Sequence, residues 1–321
     1  MRYHVQSIVF ALLLALSHAS GQSGPTFVGS GYGLPPSANL SPGQIVTFWV
    51  TGLKPIPVSP VKAPGLPLPA TLSGISVTLS QTEYGKGLPL GSYQVPLLSV
   101  TQTNSCSDPS ATAPQCFLTS ITVQIPFELV VDPFTMPPYT TFAISQDGVV
   151  SQSFAVSTAD DSIHVLTTCG AYGGSPCVTH PDGTLVLYSS PAQPGETIVI
   201  YAVGLGATTP SVPTGQATPS PAPTVPGINI NFDFRPNAAP TRPAALTPIE
   251  VDLGAAPAFA GLTPGQVGLY QINVQLPATF PPESYSGGSA FNPIVSNLTI
   301  TIGSRYFSYD GAAIWVQLQQ E

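Results

Sequence analysis

The chain has 321 residues, of which 43% are hydrophobic and only 7% charged, with 38 prolines and 30 glycines; ordinary soluble domains carry about 25% charge. Seven Lys and Arg stand against fifteen Asp and Glu, a formal charge of −8, which excludes the basic stripe that duplex nucleic-acid binding requires. The length allows about two domains, and the evenly spread apolar β-formers exclude a disordered acidic tail.

At the N-terminus, Arg2 and His4 precede an apolar run from Ile8 to Leu16, followed by Ser17, His18, Ala19, Ser20 and Gly21. A charged start, a short apolar stretch and small residues form the pattern of a secretory signal peptide over residues 1–21. Cleavage after Ala19 or after Gly21 fits the small-residue rule. The run is about half of the ~20 residues that a membrane-spanning helix needs, so no transmembrane anchor is expected. No Cys follows it to carry a lipid. Without Arg2, six cations face fifteen acids, a net charge of −9. The expected location is the cell envelope or the medium.

The chain then resembles itself. Ser41-Pro-Gly-Gln-Ile-Val-Thr-Phe-Trp-Val-Thr-Gly-Leu53 aligns without gaps with Gln193-Pro-Gly-Glu-Thr-Ile-Val-Ile-Tyr-Ala-Val-Gly-Leu205, an offset of 152, and Ile121-Thr-Val-Gln-Ile-Pro126 with Ile272-Asn-Val-Gln-Leu-Pro277, an offset of 151. Each pair reads as a Pro-Gly turn leading into a strand, or as a strand stopped by proline, which cannot donate to a ladder. Ile75 to Leu79 and Ile249 to Leu253 read as the next strands, 174 apart. That distance calls for two insertions, one near residues 80–120 and one near 206–248. The second, rich in Pro, Thr and Ala, reads as a long surface loop in extended or polyproline conformation.

Four cysteines in an exported chain favour disulfides over metal ligation. Local spacing pairs Cys106 with Cys116 and Cys169 with Cys177, since other pairings would bridge the halves. Alternating segments at Thr141–Ser145, Ser153–Ser157, Thr184–Tyr188 and Asn297–Ile302 read as half-buried strands. Asp147-Gly148, Asp182-Gly183 and Asp310-Gly311 mark hairpin turns. No segment keeps a helical period. The fold expected is all-β, two tandem immunoglobulin-like β-sandwich domains after the signal peptide, at 22–160 and 161–321. The boundary falls near Thr158 to Thr168.

The motifs of the second half, Asp182-Gly-Thr-Leu185, Pro194-Gly-Glu through Thr-Thr-Pro210, Thr214-Gly-Gln216 and Ala260-Gly-Leu-Thr-Pro-Gly-Gln-Val-Gly-Leu-Tyr-Gln-Ile-Asn-Val-Gln-Leu-Pro277, closely resemble the Solibacter-type uncharacterised C-terminal domain family of secreted acidobacterial proteins. The first half resembles a diverged copy. The resemblance implies an immunoglobulin-like or IPT-like β-sandwich and brings no catalytic residues.

Catalysis would need a nucleophile with a base, or paired carboxylates. Past the signal segment only His164 and His180 are available, with no Gly-x-Ser-x-Gly elbow, so no catalytic residue is assigned. Clustered Cys and His for zinc are missing. Asp160-Asp161 with Asp182 is the one acidic group of interest for calcium, and solvated carboxylates are the plainer reading. Gly173-Gly174 and Gly287-Gly288 read as turns rather than nucleotide loops. Neither a cofactor nor a metal is expected. Trp49 and Tyr201, at equivalent repeat positions, read first as core packing, and Trp315 lies on an apolar final strand. Tyr285, Tyr306 and Tyr309 could stack on sugar rings, or pack at a core rim. The leading expectation is an exported non-catalytic structural, adhesive or protein-interaction module. A polysaccharide-binding protein and a secreted hydrolase are its alternatives. The partner would be an extracellular protein or a glycan.

Overall fold

The computed structural model describes residues 24–32, 38–56, 59–108, 110–131, 137–169, 175–232, 256–279, 294–302, 306–307 and 312–317. Residues 1–21, read from the sequence as a signal peptide, lie outside them. In chain order the strands of the first half are β1 (Thr26–Gly31), β2 (Ile45–Thr51), β3 (Val61–Lys62), β4 (Thr71–Leu72), β5 (Ile75–Thr82), β6 (Pro89–Val95), β7 (Leu97–Asn104), β8 (Phe117–Gln124), β9 (Tyr139–Gln146), β10 (Val149–Val150) and β11 (Phe154–Val156). The second half holds β12 (His164–Val165), β13 (Val178–Thr179), β14 (Thr197–Val203), β15 (Ile228–Phe232), β16 (Phe259–Leu262), β17 (Tyr270–Gln275), β18 (Ile294–Ile302), β19 (Tyr306–Phe307) and β20 (Ala312–Val316). The fold is all-β; no α-helix occurs among the described residues.

Four antiparallel sheets result. In the first half β1-β2-β8-β7-β3 form one and β10-β9-β5-β4, with β6 and β11 alongside, form the other. Alternation along each strand sends apolar residues inward. Val46, Phe48 and Val50 of β2 and Ile121 and Val123 of β8 meet Val77 and Leu79 of β5 and Phe142 and Ile144 of β9 in one buried cluster. The Phe48 and Phe142 rings stack across it at 4.5 Å. In the second half β12-β14-β17-β16, with β13, and β15-β18-β19, with β20, enclose another cluster built on Ile198, Ile200, Ile272, Val274, Ile230, Leu298 and Ile314. Two sheets filling one core from facing sides are the arrangement of a β-sandwich.

The two repeated motifs fall on strands that pair alike. β2 and β14 are 152 apart at both ends, and Ile45 pairs with Gln124 as Thr197 pairs with Gln275. Before each strand stands the same turn. Gln44 Oε1 accepts the Ser41 amide at 2.9 Å, and Glu196 Oε2 accepts the Gln193 amide at 2.7 Å. Leu40 and Ala192, also 152 apart, make the matching parallel bridges to Thr158 and Val316.

The strand expected at Ile249–Leu253 lies outside the described residues, and the partner of β5 in the repeat is β15. Ile75 pairs with Gln146 of β9 and Ile228 pairs with Ile302 of β18, so the offset is 153 rather than 174. β15 therefore sits inside the stretch read as a 206–248 loop, because the alternation Ile-Asn-Ile-Asn-Phe was masked by its Pro- and Thr-rich neighbours. The part before it is also pinned. Thr209 and Thr224 exchange both backbone bonds, Thr218 bonds with the β16–β17 turn at Gln266 and Gly265, and Val212 and Val225 are buried. Thr184–Tyr188, expected as a strand, makes only isolated bridges at Leu185 and Leu187; turns on both sides leave it too short for a ladder.

Trp49 is buried, as core packing requires, whereas its counterpart Tyr201 is only half-buried. Both lie on the faces of β2 and β14 opposite Phe48 and Ile200. A repeat match locates a position along a strand, whereas the face follows from alternation. Trp315 is half-buried and packs against the second cluster and edge-on to Tyr188.

Both cysteine pairs are disulfides, Cys106–Cys116 and Cys169–Cys177. The first closes the β7–β8 connection. The second lies between β12 and β13, which pair with the same edge of β14 at Val203–Ala202 and Ile200–Val199. In the first half β1 runs along the equivalent edge of β2 with only a bulge between Phe27 and Gly29. The disulfide loop is thus an excursion inserted where the first half has a bulge.

The buried members of the first cluster run from Leu40 to Ile144, with Val156 against its edge, and those of the second begin at Ile163; Phe127 of the first half packs against the second cluster. The intervening segment meets the loop after β14 backbone to backbone. A Cβ on Gly204 (φ 76°) would stand 2.1 Å from the Ser162 carbonyl oxygen, and one on Gly206 (φ 84°) 2.3 Å from that of Asp160. Gly204→Ala is expected to destabilise the protein by more than about 1 kcal/mol, since an Ala at positive φ is strained even without a clash. Gly148→Ala (φ 81°), in open space, is the control, and urea unfolding should show the smaller loss there.

Candidate functional site

His180 forms the grouping closest to a catalytic one. Its Nδ1 lies 2.5 Å from Glu196 Oε1, and its Nε2 lies 3.1 Å from the Ser190 carbonyl and 3.2 Å from Ser190 Oγ. A Ser-His-acid nucleophile requires an Nε2 free to accept the serine proton. Here the carbonyl calls on Nε2–H as donor, and the carboxylate calls on Nδ1–H. With Glu196 ionised, both contacts are met together when both ring nitrogens donate. Burial lowers the His180 pKa, but the Glu196 and Ser190 bonds and the nearby Asp182 outweigh this and raise it above the usual value of 6.5.

The repeat explains what this ring does. His180 follows β13 as Tyr32 follows β1, and the two strands hold equivalent places against β14 and β2. Gln44 and Glu196 are 152 apart. Gln44 Nε2 donates to the Tyr32 hydroxyl at 2.5 Å, as His180 donates to Glu196. Each pair ties the Pro-Gly turn to the edge strand, neutral in one half and ionic in the other. Asp182 turns on itself, accepting the Thr184 amide at 2.9 Å and its hydroxyl at 2.6 Å.

His164 lies elsewhere. It is buried at the changeover between the cores and stacks on Tyr32 with centroids 4.0 Å apart. Tyr32 donates to the Ser162 carbonyl at 3.2 Å, and Ser41 Oγ to Gly204 O at 3.4 Å. Beside them Asp161 is 7% exposed. Burial, assisted by the charge of Asp160, pushes its carboxyl up to about 7. That environment favours the protonated acid over a cation ligand. Among the described residues no three His, Cys, Asp or Glu side chains gather as a metal site requires.

A second contact region joins the halves through motifs of the C-terminal part. The Gly215 amide donates to Gln124 Oε1 at 2.6 Å and the Leu68 amide to Gly215 O at 2.9 Å. Thr214 Oγ1 accepts the Phe127 amide at 2.9 Å and donates to Glu128 Oε2 at 2.6 Å. A Cβ on Gly268 would stand 2.7 Å from Gly43 O. Tyr270, fully buried, donates to Gly206 O at 2.5 Å, and burial holds its hydroxyl well above the usual range.

Of the tyrosines suited to stacking, Tyr285 and Tyr309 lie outside the described residues, and Tyr306 is in β19, paired with Ile302. Other exposed aromatics stand on the first half. Tyr139 opens β9 opposite Thr82, 54% exposed, and Tyr84 in the β5–β6 turn is 57% exposed. Leu88, Leu90 and Val130 are exposed at the same end. Beyond it extends the outer face of the sheet. Ser76, Thr78, Ser80 and Thr82 alternate with the inward residues of β5. They pair with Ser145, Ala143, Thr141 and Tyr139 of β9. On the other flank Gln94 Nε2 donates to Thr78 Oγ1 at 2.9 Å, and the Ser80 and Ser92 hydroxyls lie 3.4 Å apart. None of the strands β4, β5, β6, β9, β10 and β11 contains a charged residue. The period-two hydroxyl pattern Ile-Ser-Val-Thr-Leu-Ser-Gln-Thr was the available sequence signal for this face. A half-open cleft of about 240 Å³ lies apart from it, between Gly24-Pro25, Gly52 to Lys54, Pro114 and Val149 to Ser151.

Neither a family model nor a curated protein matches the chain.

The two raised pKa values act in one direction. Each folded state holds its proton more tightly than the unfolded chain, so stability falls as pH rises. For Asp161 the loss runs from the ordinary 3.8 to about 7; for His180 the contribution is complete below 6.5 and is lost through its raised value. Thermal melts across pH 4 to 9 should decline, with Asp161→Asn flattening the acid limb and Glu196→Gln the upper one. A stability maximum near neutrality would contradict both assignments.

Proposed function

We propose that the chain is an exported, non-catalytic adhesive or scaffold module, built as two tandem immunoglobulin-like domains at 22–160 and 161–321 and related to the Solibacter-type C-terminal domains. The observation that carries this reading is the engagement of its polar side chains. The buried Gln44, Gln81, Gln124 and Gln146 and the half-buried His180 and Glu196 all bond to loop backbone or to each other, which leaves them as braces rather than reagents. Two disulfides are compatible with an oxidising compartment. Among the described residues no helix is long and apolar enough to cross a membrane. The hydrolase reading has the His180 grouping as its best support, and in that grouping the Ser190 carbonyl engages the Nε2 that a general base would use.

Cell fractionation with mass analysis, joined to a screen of ester, glycoside and peptide substrates, tests the proposal. The expected result is a processed chain beginning after Ala19 or Gly21 outside the cytoplasm, without turnover. A full-length cytoplasmic chain, or turnover lost in His180→Ala, would overturn it.

A further inference from the structure

We infer that the outer face of the β6-β5-β9-β11 sheet binds a neutral polysaccharide, with Tyr84 and Tyr139 as the stacking end of the site. The inference rests on the adhesive reading and names its partner. Three features of the face select the ligand.

The first is charge. Six strands without a single Asp, Glu, Lys or Arg give no complement to nucleic acid, an acidic glycan or an anionic lipid surface. The second is the kind of polarity. Ser76, Thr78, Ser80 and Thr82 project from one strand in register with Thr141 and Ser145 of the next. Each hydroxyl both donates and accepts. Protein interfaces are built around aromatic, Met and Arg anchors and are depleted in serine, so a flat hydroxyl grid fits a polyhydroxylated polymer better than a folded partner. The third is the tyrosine end. Exposed phenol rings present an apolar face with a polar tip, which matches the apolar face of a pyranose ring, and they sit where the grid ends. With strands about 4.8 Å apart and alternate residues about 6.7 Å apart, the grid spans roughly 14 by 20 Å, room for several sugar rings in an extended chain.

Within the face Gln94 Nε2 donates to Thr78 Oγ1, an order that lowers the entropic cost of engaging these two side chains.

The test is affinity electrophoresis in gels containing β-glucan, xylan, galactomannan or starch, together with pull-down on microcrystalline cellulose and chitin, using the full processed chain. Retention on at least one of these is expected, and it should persist in about 0.5 M NaCl because the strands of the face carry no charge. The Tyr84→Ala/Tyr139→Ala double variant and Ser92→Lys, on exposed positions, should weaken retention at least about tenfold while melting like the parent, as expected for loss of ring stacking or burial of an unpaired charge. No retention on any of the six polymers, retention unchanged in both variants, or retention abolished by salt would overturn the assignment. Such a failure in a chain that is still exported and without turnover removes the ligand alone, whereas cytoplasmic location or turnover removes the adhesive reading itself.

Discussion

Backbone meets backbone at Gly204 and Gly206, and the rest of the architecture depends on that approach. The carbonyls of Asp160 and Ser162 occupy the space where side chains would stand, so the segment that carries the chain from one core to the next lies flat against the loop leaving β14. The Ser162 amide bonds to Gly204 O at 2.8 Å, and β12 begins two residues later. Gly268 allows a backbone approach to Gly43 O, with a Cβ there 2.7 Å away, and at Gly215 a Cβ would meet the Pro96 side chain at 3.2 Å. Within the motifs Gly-Leu-Gly, Thr-Gly-Gln and Pro-Gly-Gln-Val-Gly, Gly204 and Gly206 meet the segment between the cores, while Gly215 and Gly268 meet the first half.

Around that junction the same brace appears twice with different chemistry. Residue 44 or 196 caps its own turn and reaches the end of the edge strand. In the first half the pair is Gln44 with Tyr32, and the Tyr32 ring goes on to cover His164 and bond Ser162. In the second half it is Glu196 with His180, which goes on to hold the Ser190 turn. A neutral brace at the buried junction avoids the cost of placing an ion pair there, while the ionic one sits nearer solvent, where desolvation is milder. Asp161 is the exception. It lies buried at the junction and answers with a raised pKa instead of a partner cation.

Much of this was legible. The repeat motifs placed β2, β8, β14 and β17, because a Pro-Gly turn and a terminal proline punctuate strands by backbone sterics alone. Asp147-Gly148 forms the β9–β10 hairpin with both residues at positive φ, as its sequence demands. Cysteine spacing gave both disulfides. Other features depend on tertiary contact and could not be read. β15 hid among prolines, since five alternating residues carry little signal until β18 pairs with them. Trp49 is buried as its aromatic character suggests, while Tyr201 at the equivalent position is half-buried, a difference that the repeat match does not carry. The hydroxyl grid was visible as a pattern on β5, but only the pairing with β6 and β9 makes it a surface. The near-triad of Ser190, His180 and Glu196 joins residues whose grouping depends on turns at both ends of the segment.

The central claim is that the two halves are fixed to one another through buried backbone groups. Native-state amide hydrogen exchange tests it directly at Leu68, Phe127 and Gly215, whose N–H groups bond across the junction. Protection comparable to that of Val46 and Ile200 in the central strands is the expected result. Exchange at the rate of the exposed Tyr84 to Gly87 turn would show that the halves part freely, and would contradict the account.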